Sequence, residues 1–260
     1  MNILVLEDNP VSMKVTFLGT NGWYDSPTGN TCSVLVQSAG YDIIFDAGNG
    51  IAKADRYITG DKPVYLFLSH FHLDHIIGLH TLVKLGSRNG LYICIQAGSR
   101  DLLSAFVAEP FTVPLTRLPY PVTIVEMGEG EQPGFPFPVL CLPLVHPAPC
   151  FGFRLILDGK VISYCTDTGP CGNAVSLGRD ADLLITECGL KPGTESPEWP
   201  HLNPEMAIAI AKEAHARRLA LIHFSPELYR TLDDRRELLE RFTEQCPGLV
   251  VATDDLMIDV

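Results

Sequence analysis

Three imidazoles and one carboxylate fall within a single hexapeptide, His70-Phe71-His72-Leu73-Asp74-His75. It comes directly after the apolar run Val64-Tyr65-Leu66-Phe67-Leu68, which reads as a strand. Neutral imidazole and carboxylate suit zinc, iron or manganese. His70 and His72 stand two apart and can point the same way in an extended turn. Asp74 and His75 come next as the chain bends and can address a second position. One short loop can therefore feed two adjacent ions. The plainer alternative is a polar loop whose histidines are satisfied by neighbouring groups, and the context elsewhere in the chain decides between the two.

That context repeats. His146 follows Val139-Leu140-Cys141-Leu142-Pro143-Leu144-Val145, Asp167 follows Val161-Ile162-Ser163-Tyr164-Cys165-Thr166, and His223 follows Leu219-Ala220-Leu221-Ile222. Each sits just past an apolar strand, where a rigid support holds a side chain in place. Any one of them alone would more readily be structural. Together with the hexapeptide they favour a metal site.

The chain of 260 residues, 46% hydrophobic and 19% charged, fits a soluble globular enzyme with a substantial core. No apolar run approaches a bilayer span, and no basic segment precedes an apolar stretch at the N-terminus, so a cytoplasmic protein is expected. The net charge of -12 argues against broad nucleic-acid binding. It leaves a phosphate substrate open, because bound divalent ions reverse the charge locally. The eight cysteines include no C-x-x-C pair, so most read as buried thiols; Cys165, Cys171 and Cys188 lie near the site motifs in sequence and are given no redox or metal role.

Apolar blocks bounded by Gly, Asp, Asn or Pro predict strands at 14–18, 32–38, 42–46, 64–68, 91–95, 122–126, 139–144, 151–157, 161–165, 182–186, 219–222 and 250–258. Asp158-Gly159 signals a hairpin. Helices are predicted at 76–85, 99–107, 204–216 and 227–245, the third opened by Asn203 as cap and Pro204 as first residue. Gly128 to Gly134 reads as a surface loop. Residues 1–12 look like the first strand of a receiver domain, but the chain from Met13 onward does not continue one. They are read as an N-terminal extension, Asp8 receives no phosphoacceptor role, and 13–260 is read as one domain. Alternating strand blocks and helices point to an α/β domain with two sheets and helices outside.

The ordered set Asp46 (in Phe45-Asp46-Ala47-Gly48), the hexapeptide, His146, Asp167 and His223 resembles the metallo-β-lactamase superfamily over residues 13–260. The resemblance implies an αββα four-layer sandwich of two mixed sheets. Its details favour the phosphodiesterase branch. Asp167 stands where lactamases use cysteine, Thr166-Asp167-Thr168-Gly169 is similar to that branch's segment, and His201-Leu202-Asn203-Pro204-Glu205-Met206-Ala207 resembles ribonuclease Z and the phosphoribosyl cyclic phosphodiesterases. By that resemblance one ion takes His70, His72 and His146, a second takes Asp74, His75 and His223, and Asp167 bridges them. His201, Asp74 and Glu187 form the catalytic set, with His201 as general acid and Glu187 orienting it. A solvated strand-end carboxylate is the competing reading of Glu187. Asp46 fixes a ligand histidine.

Two features depart from those families. The stretch from His146 to Asp167 has room for one hairpin but not for the long arm of the tRNA-processing enzymes, and Cys32 alone does not make the cyclic phosphodiesterase's cysteine zinc site. The expectation is a hydrolase with two divalent ions, zinc first and manganese or iron next, acting on a small or cyclic phosphodiester rather than pre-tRNA. A homodimer is compatible with it. The alternatives are hydrolysis of a carboxylic ester, thioester or lactone on the same site, and a non-catalytic metal-binding accessory protein.

Overall fold

A computed structural model describes residues 13–260, so the reading of 1–12 as an extension and of Asp8 lies outside the described residues. The first half of the chain gives β1 (Lys14–Gly19), β2 (Ser33–Gln37), β3 (Asp42–Phe45), β4 (Val64–Phe67), β5 (Leu91–Gln96) and β6 (Val122–Met127). The second gives β7 (Gly130–Glu131), β8 (Val139–Pro143), β9 (Phe151–Leu157), β10 (Lys160–Cys165), β11 (Leu183–Glu187), β12 (Leu219–Ile222), β13 (Leu249–Val251) and β14 (Met257–Asp259). Among the described residues these form two seven-stranded sheets, ordered β14-β1-β2-β3-β4-β5-β6 and β13-β12-β11-β10-β9-β8-β7.

Both sheets are mixed. β3 through β6 run parallel, as do β10 through β13, while the flanking hairpins are antiparallel. The central parallel strands are buried on both faces and accordingly read as unbroken apolar runs: β4, β11 and β12 are buried at every residue. Three apolar layers result. The middle one lies between the sheets, where Phe45 stacks on Tyr164 with ring centroids 4.7 Å apart and planes 6° from parallel. A second layer packs α3 (Gly172–Gly178), α4 (Pro204–Glu213) and α5 (Leu232–Phe242) on one outer face through Leu177, Ile208, Leu238 and Phe242. A third covers the other outer face with α1 (Leu73–Ile76), α2 (Arg100–Phe106) and 3-10 turns through Ile51, Leu79, Leu82 and Leu103. This is the expected αββα sandwich.

The hairpin at Asp158-Gly159 forms between β9 and β10, with both turn residues at positive φ, 50° and 76°. Asn203 caps α4 by accepting from the Met206 N–H at 2.9 Å. Other elements differ from the sequence pattern. The run 250–258 is two strands, β13 in one sheet and β14 in the other, because the chain crosses between sheets at Thr253–Asp255. α5 starts at Leu232 rather than 227, because Thr231 and Asp234 close a reciprocal capping box there. The helix expected at 76–85 is a short α-turn followed by 3-10 turns. α3 has no counterpart in the predicted elements, and part of the Gly128–Gly134 loop pairs as β7.

Candidate metal centre

The site residues hang from strand ends along one rim of the sandwich. Asp46 follows β3, His70 follows β4, His146 lies just past β8, Asp167 past β10, Glu187 ends β11 and His223 follows β12. Three of these turn the chain through left-handed backbone: Asp46 has φ 56°, Asp167 49° and His223 55°. Such conformations cost free energy and persist where the surroundings hold them. Gly22 permits the close approach, since a Cβ there would come within 2.5 Å of the His223 ring.

Two groups of donor atoms converge, each within 4.8 Å: His70, His72, His146 and Asp167, then Asp74, His75, Asp167 and His223. Asp167 belongs to both. Its Oδ1 lies 2.8 Å from His223 Nε2, and its Oδ2 lies 3.4 Å from His70 Nε2 and 3.5 Å from His75 Nε2. Imidazole nitrogens also face one another, His75 Nε2 and His223 Nε2 at 3.2 Å and His72 Nδ1 and His146 Nε2 at 3.2 Å. Two neutral acceptor nitrogens that close repel unless a proton or a cation lies between them. His70 Nε2 is buried without a hydrogen-bond partner. This donor set fits divalent cations of the borderline kind.

The electrostatics agree. Burial opposes charge on His75 and His223, yet the carboxylates around them prevail. Asp74, Asp167 and Asp46 raise His75, and Asp167 and Asp74 push His223 up to about 10. Around the other group, burial and neighbouring imidazoles, tempered by Asp167, lower His72 and bring His146 down to about 4. His75 and His223 thus draw protons in place of a cation, whereas His72 and His146 favour the neutral ring with a lone pair free.

The orienting groups lie one layer further in. Asp46 is fully buried and takes four donors: Ser69 N–H at 2.7 Å, Ser69 O–H at 2.9 Å, Tyr164 O–H at 2.8 Å and His75 Nδ1 at 2.8 Å. That contact leaves His75 Nε2 to face the cluster. Ser69 also lies 3.0 Å from His70 Nδ1. Sequence reasoning identifies Asp46 but not Ser69 or Tyr164. The Ser just before His70 is a usable signal. Tyr164 has none, because its partner lies in the other sheet.

Glu187 is fully buried, which removes its reading as a solvated strand-end group. It accepts from Thr168 N–H at 2.7 Å and from Leu202 and Gly189 N–H at 3.1 Å, and its Oε1 lies 2.8 Å from His201 Nδ1. Burial pulls the His201 imidazole down, but the charge and hydrogen bond of Glu187 more than offset this and hold it above the usual histidine value. His201, with Glu187 and His223, forms a third convergent group beside the other two. Every sequence-predicted site residue is thus brought to one place, and of the eight histidines, His80 and His215 stay outside it.

A cavity of about 530 Å3 opens over the cluster, lined by His72, Asp74, Asp167, His201 and His223 and walled by Trp23, Trp199, Leu190 and Leu228. A larger groove of about 690 Å3 beside Phe135 and Arg154 lies against β7, β8 and β9 and contains no histidine. Six of the eight cysteines are buried, among them Cys150, whose sulfur lies 3.8 Å from His70 Nδ1. No helix among the described residues is long and apolar enough to cross a membrane.

Known proteins share the sequence and the fold of this chain in part. A ribonuclease Z from Methanosarcina acetivorans is 26% identical, over 95% of this chain and 98% of its own length. The metallo-β-lactamase-fold protein YhfI from Bacillus subtilis superposes with a TM-score of 0.77 at 24% identity, over 96% of this chain and all of that one, a likeness of fold. The short form of human tRNase Z superposes at 0.72 with 25% identity, over 94% and 98% of the two chains. The family model described as the beta-lactamase superfamily domain matches residues 41–224, and the chain belongs to that superfamily.

Proposed function

We propose that residues 13–260 form a metal-dependent phosphodiesterase with two divalent ions, zinc first, acting on a small phosphodiester. One observation carries this reading: a second, separate dyad, Glu187 and His201, stands beside a complete paired donor set. Superfamily membership and the ribonuclease Z likeness support hydrolysis, and supply the phosphodiester class.

In this reading His70, His72 and His146 would hold one ion, Asp74, His75 and His223 would hold the other, and Asp167 would serve both. The ions, when bound, supply Lewis acidity to the phosphoryl oxygens and make water nucleophilic near neutral pH. The chain's own residues do the rest. Asp46 fixes the His75 tautomer from behind. His201 carries a proton on the nitrogen that faces the cavity and delivers it to the departing alkoxide. Glu187 holds the opposite nitrogen and favours the protonated ring. An acyl hydrolase gains less from such a dedicated acid, so the dyad favours phosphodiesters over carboxylic esters and lactones.

Substrate size follows from the rim. One hairpin, β9–β10, fills the chain between Pro149 and Thr166, and no long arm projects there to grip a folded RNA. The test is hydrolysis of bis(p-nitrophenyl) phosphate by protein stripped of metal and then reloaded with zinc or manganese. Turnover lost on stripping and regained on reloading is the expected result. Metal-loaded protein that cleaves nitrophenyl acetate or a lactone but no phosphodiester overturns the reading in favour of an acyl hydrolase. No turnover of either class would leave a metal-binding accessory protein.

A further inference from the structure

The chain has two tryptophans, Trp23 and Trp199, and both stand at the mouth of the cavity over the histidine cluster. Neither is used to build the fold: Trp23 is 66% exposed and Trp199 50%. Large apolar rings left in water at the lip of a cavity mark a binding surface.

Their placement is specific. The Trp23 backbone has φ 63°, a left-handed conformation that a bulky residue adopts only under constraint. The constraint is visible: its N–H donates to Asp74 Oδ2 at 2.7 Å, and the preceding Gly22 N–H donates to Phe224 O at 3.1 Å. Trp199 lies nearly parallel to His72, 12° between planes and 6.1 Å between centroids, and edge-on to His146 at the same distance. The Trp199 indole therefore adjoins His72 and His146, while Trp23 is anchored to Asp74 through its backbone and its indole, 5.3 Å from the Tyr24 ring, lines the same cavity.

The rest of the lining is as informative. Among the described residues no lysine or arginine contributes to it. Beyond the cluster the pocket offers no cation for a second phosphate. Groups attached to the one reacting phosphorus meet indole, Leu190 and Leu228 instead. We infer that Trp23 and Trp199 are specificity-determining residues that stack a planar ring of the substrate, so that the substrate is a phosphodiester carrying an aromatic ring, of which a nucleobase is one form, and bearing no further phosphate. This rests on the phosphodiesterase reading above. Stacking accepts any π-face, so it selects for a ring without selecting which ring.

Because these are the chain's two tryptophans, indole fluorescence reports on this mouth alone. Zinc-loaded protein is titrated with phenyl phosphate, AMP and methyl phosphate, followed by fluorescence and checked by calorimetry. Phenyl phosphate and AMP are expected to bind about tenfold more tightly than methyl phosphate, the scale of one ring stack. Trp199→Ala removes most of that preference, Trp199→Phe retains it, and Trp23→Ala weakens it. Equal affinities for the three ligands, a ring preference untouched in the double alanine variant, or no binding of either ring ligand overturns the inference. The readout needs no turnover, so the two proposals fail separately. Ring-selective binding without cleavage of bis(p-nitrophenyl) phosphate sinks the phosphodiesterase reading and leaves the ring-stacking role of the two tryptophans standing. Cleavage without ring preference sinks this one alone.

Discussion

Glu187 Oε1 and His201 Nδ1 lie 2.8 Å apart, with the carboxylate wholly shielded from water and the imidazole part-exposed toward the cavity. A buried carboxylate so placed fixes the ring's orientation and its charge together. His201→Ala is therefore expected to keep the metals and lose roughly 10²–10⁴-fold in kcat on alkyl phosphodiesters, the usual contribution of a general acid. Nitrophenyl esters, whose leaving groups need no proton, should lose far less. Equal losses across leaving groups would show that His201 is not the acid.

The same pair sets a pH limb. In the proposed mechanism the acid form of His201 is the active one, and Glu187 holds its pKa above the ordinary value. Activity should fall as pH rises through that raised pKa. Glu187→Gln removes the charge that raises it, so the falling limb should move to lower pH. A pH–kcat profile that does not shift in Glu187→Gln would count against the assignment.

Metal uptake should itself depend on pH. In the absence of ions Asp74, Asp167 and Asp46 raise His75, and Asp167 and Asp74 raise His223 up to about 10. Protons held there must leave before the nitrogens can ligate. Affinity for the ion at Asp74, His75 and His223 should rise with pH toward that value, with protons released on binding. The other ion, facing His72 and His146 already lowered toward neutrality, should bind with weaker pH dependence. Calorimetry in buffers of different ionisation enthalpy measures the proton count directly.

Asp167 serves both groups, so Asp167→Ala should lower the content of both ions as well as turnover. Asp46→Ala touches neither ion but frees the His75 ring, and should weaken binding of one ion by about 10–100-fold. Metal analysis of the two purified variants separates these outcomes. Two full equivalents retained in Asp167→Ala would remove it from the bridge.

Arg235 makes a prediction about stability. It is fully buried and donates to Thr20 Oγ1 and Thr28 Oγ1, each at 2.9 Å, and to Asn21 Oδ1, while its guanidinium lies 4.5 Å from the Phe224 ring centroid. It thus ties α5 to the loop that carries Trp23 and to the residue after His223. Arg235→Ala strands several buried acceptors at about 1–3 kcal/mol each and should cost at least about 3 kcal/mol in urea unfolding. A loss under about 1 kcal/mol would mean that water or neighbouring groups replace the guanidinium.

The ligand set is legible because the chemistry coincides with a local pattern. Each of His70, His146, Asp167 and His223 comes at or just past the end of an apolar run, and parallel strands buried on both faces write such runs plainly. Asp46 and Glu187 can be named in the same way. What decides their roles cannot, because it depends on contacts across the sandwich, such as Tyr164 on Asp46 and the Thr168 and Leu202 amides on Glu187. Trp23 and Trp199 escape notice because single aromatics in irregular loops leave no periodicity. The terminal run reads as one strand because an apolar pattern does not say which sheet a strand joins. The turn residues Thr253, Asp254 and Asp255 inside it are the available warning.

The crossing between β13 and β14 has a consequence for synthesis. β14 pairs with β1, residue Asp259 opposite Lys14, so the first strand of the first sheet meets its outer neighbour only after every strand of the second sheet has been made. His223, too, emerges late, after every other member of the cluster. A nascent chain on the ribosome therefore holds the His70, His72 and His146 group long before the second group is complete. In the proposed reading the second ion can be taken up only after residue 223 has been added, so the order of the genetic message sets the order in which the two groups of donors are completed.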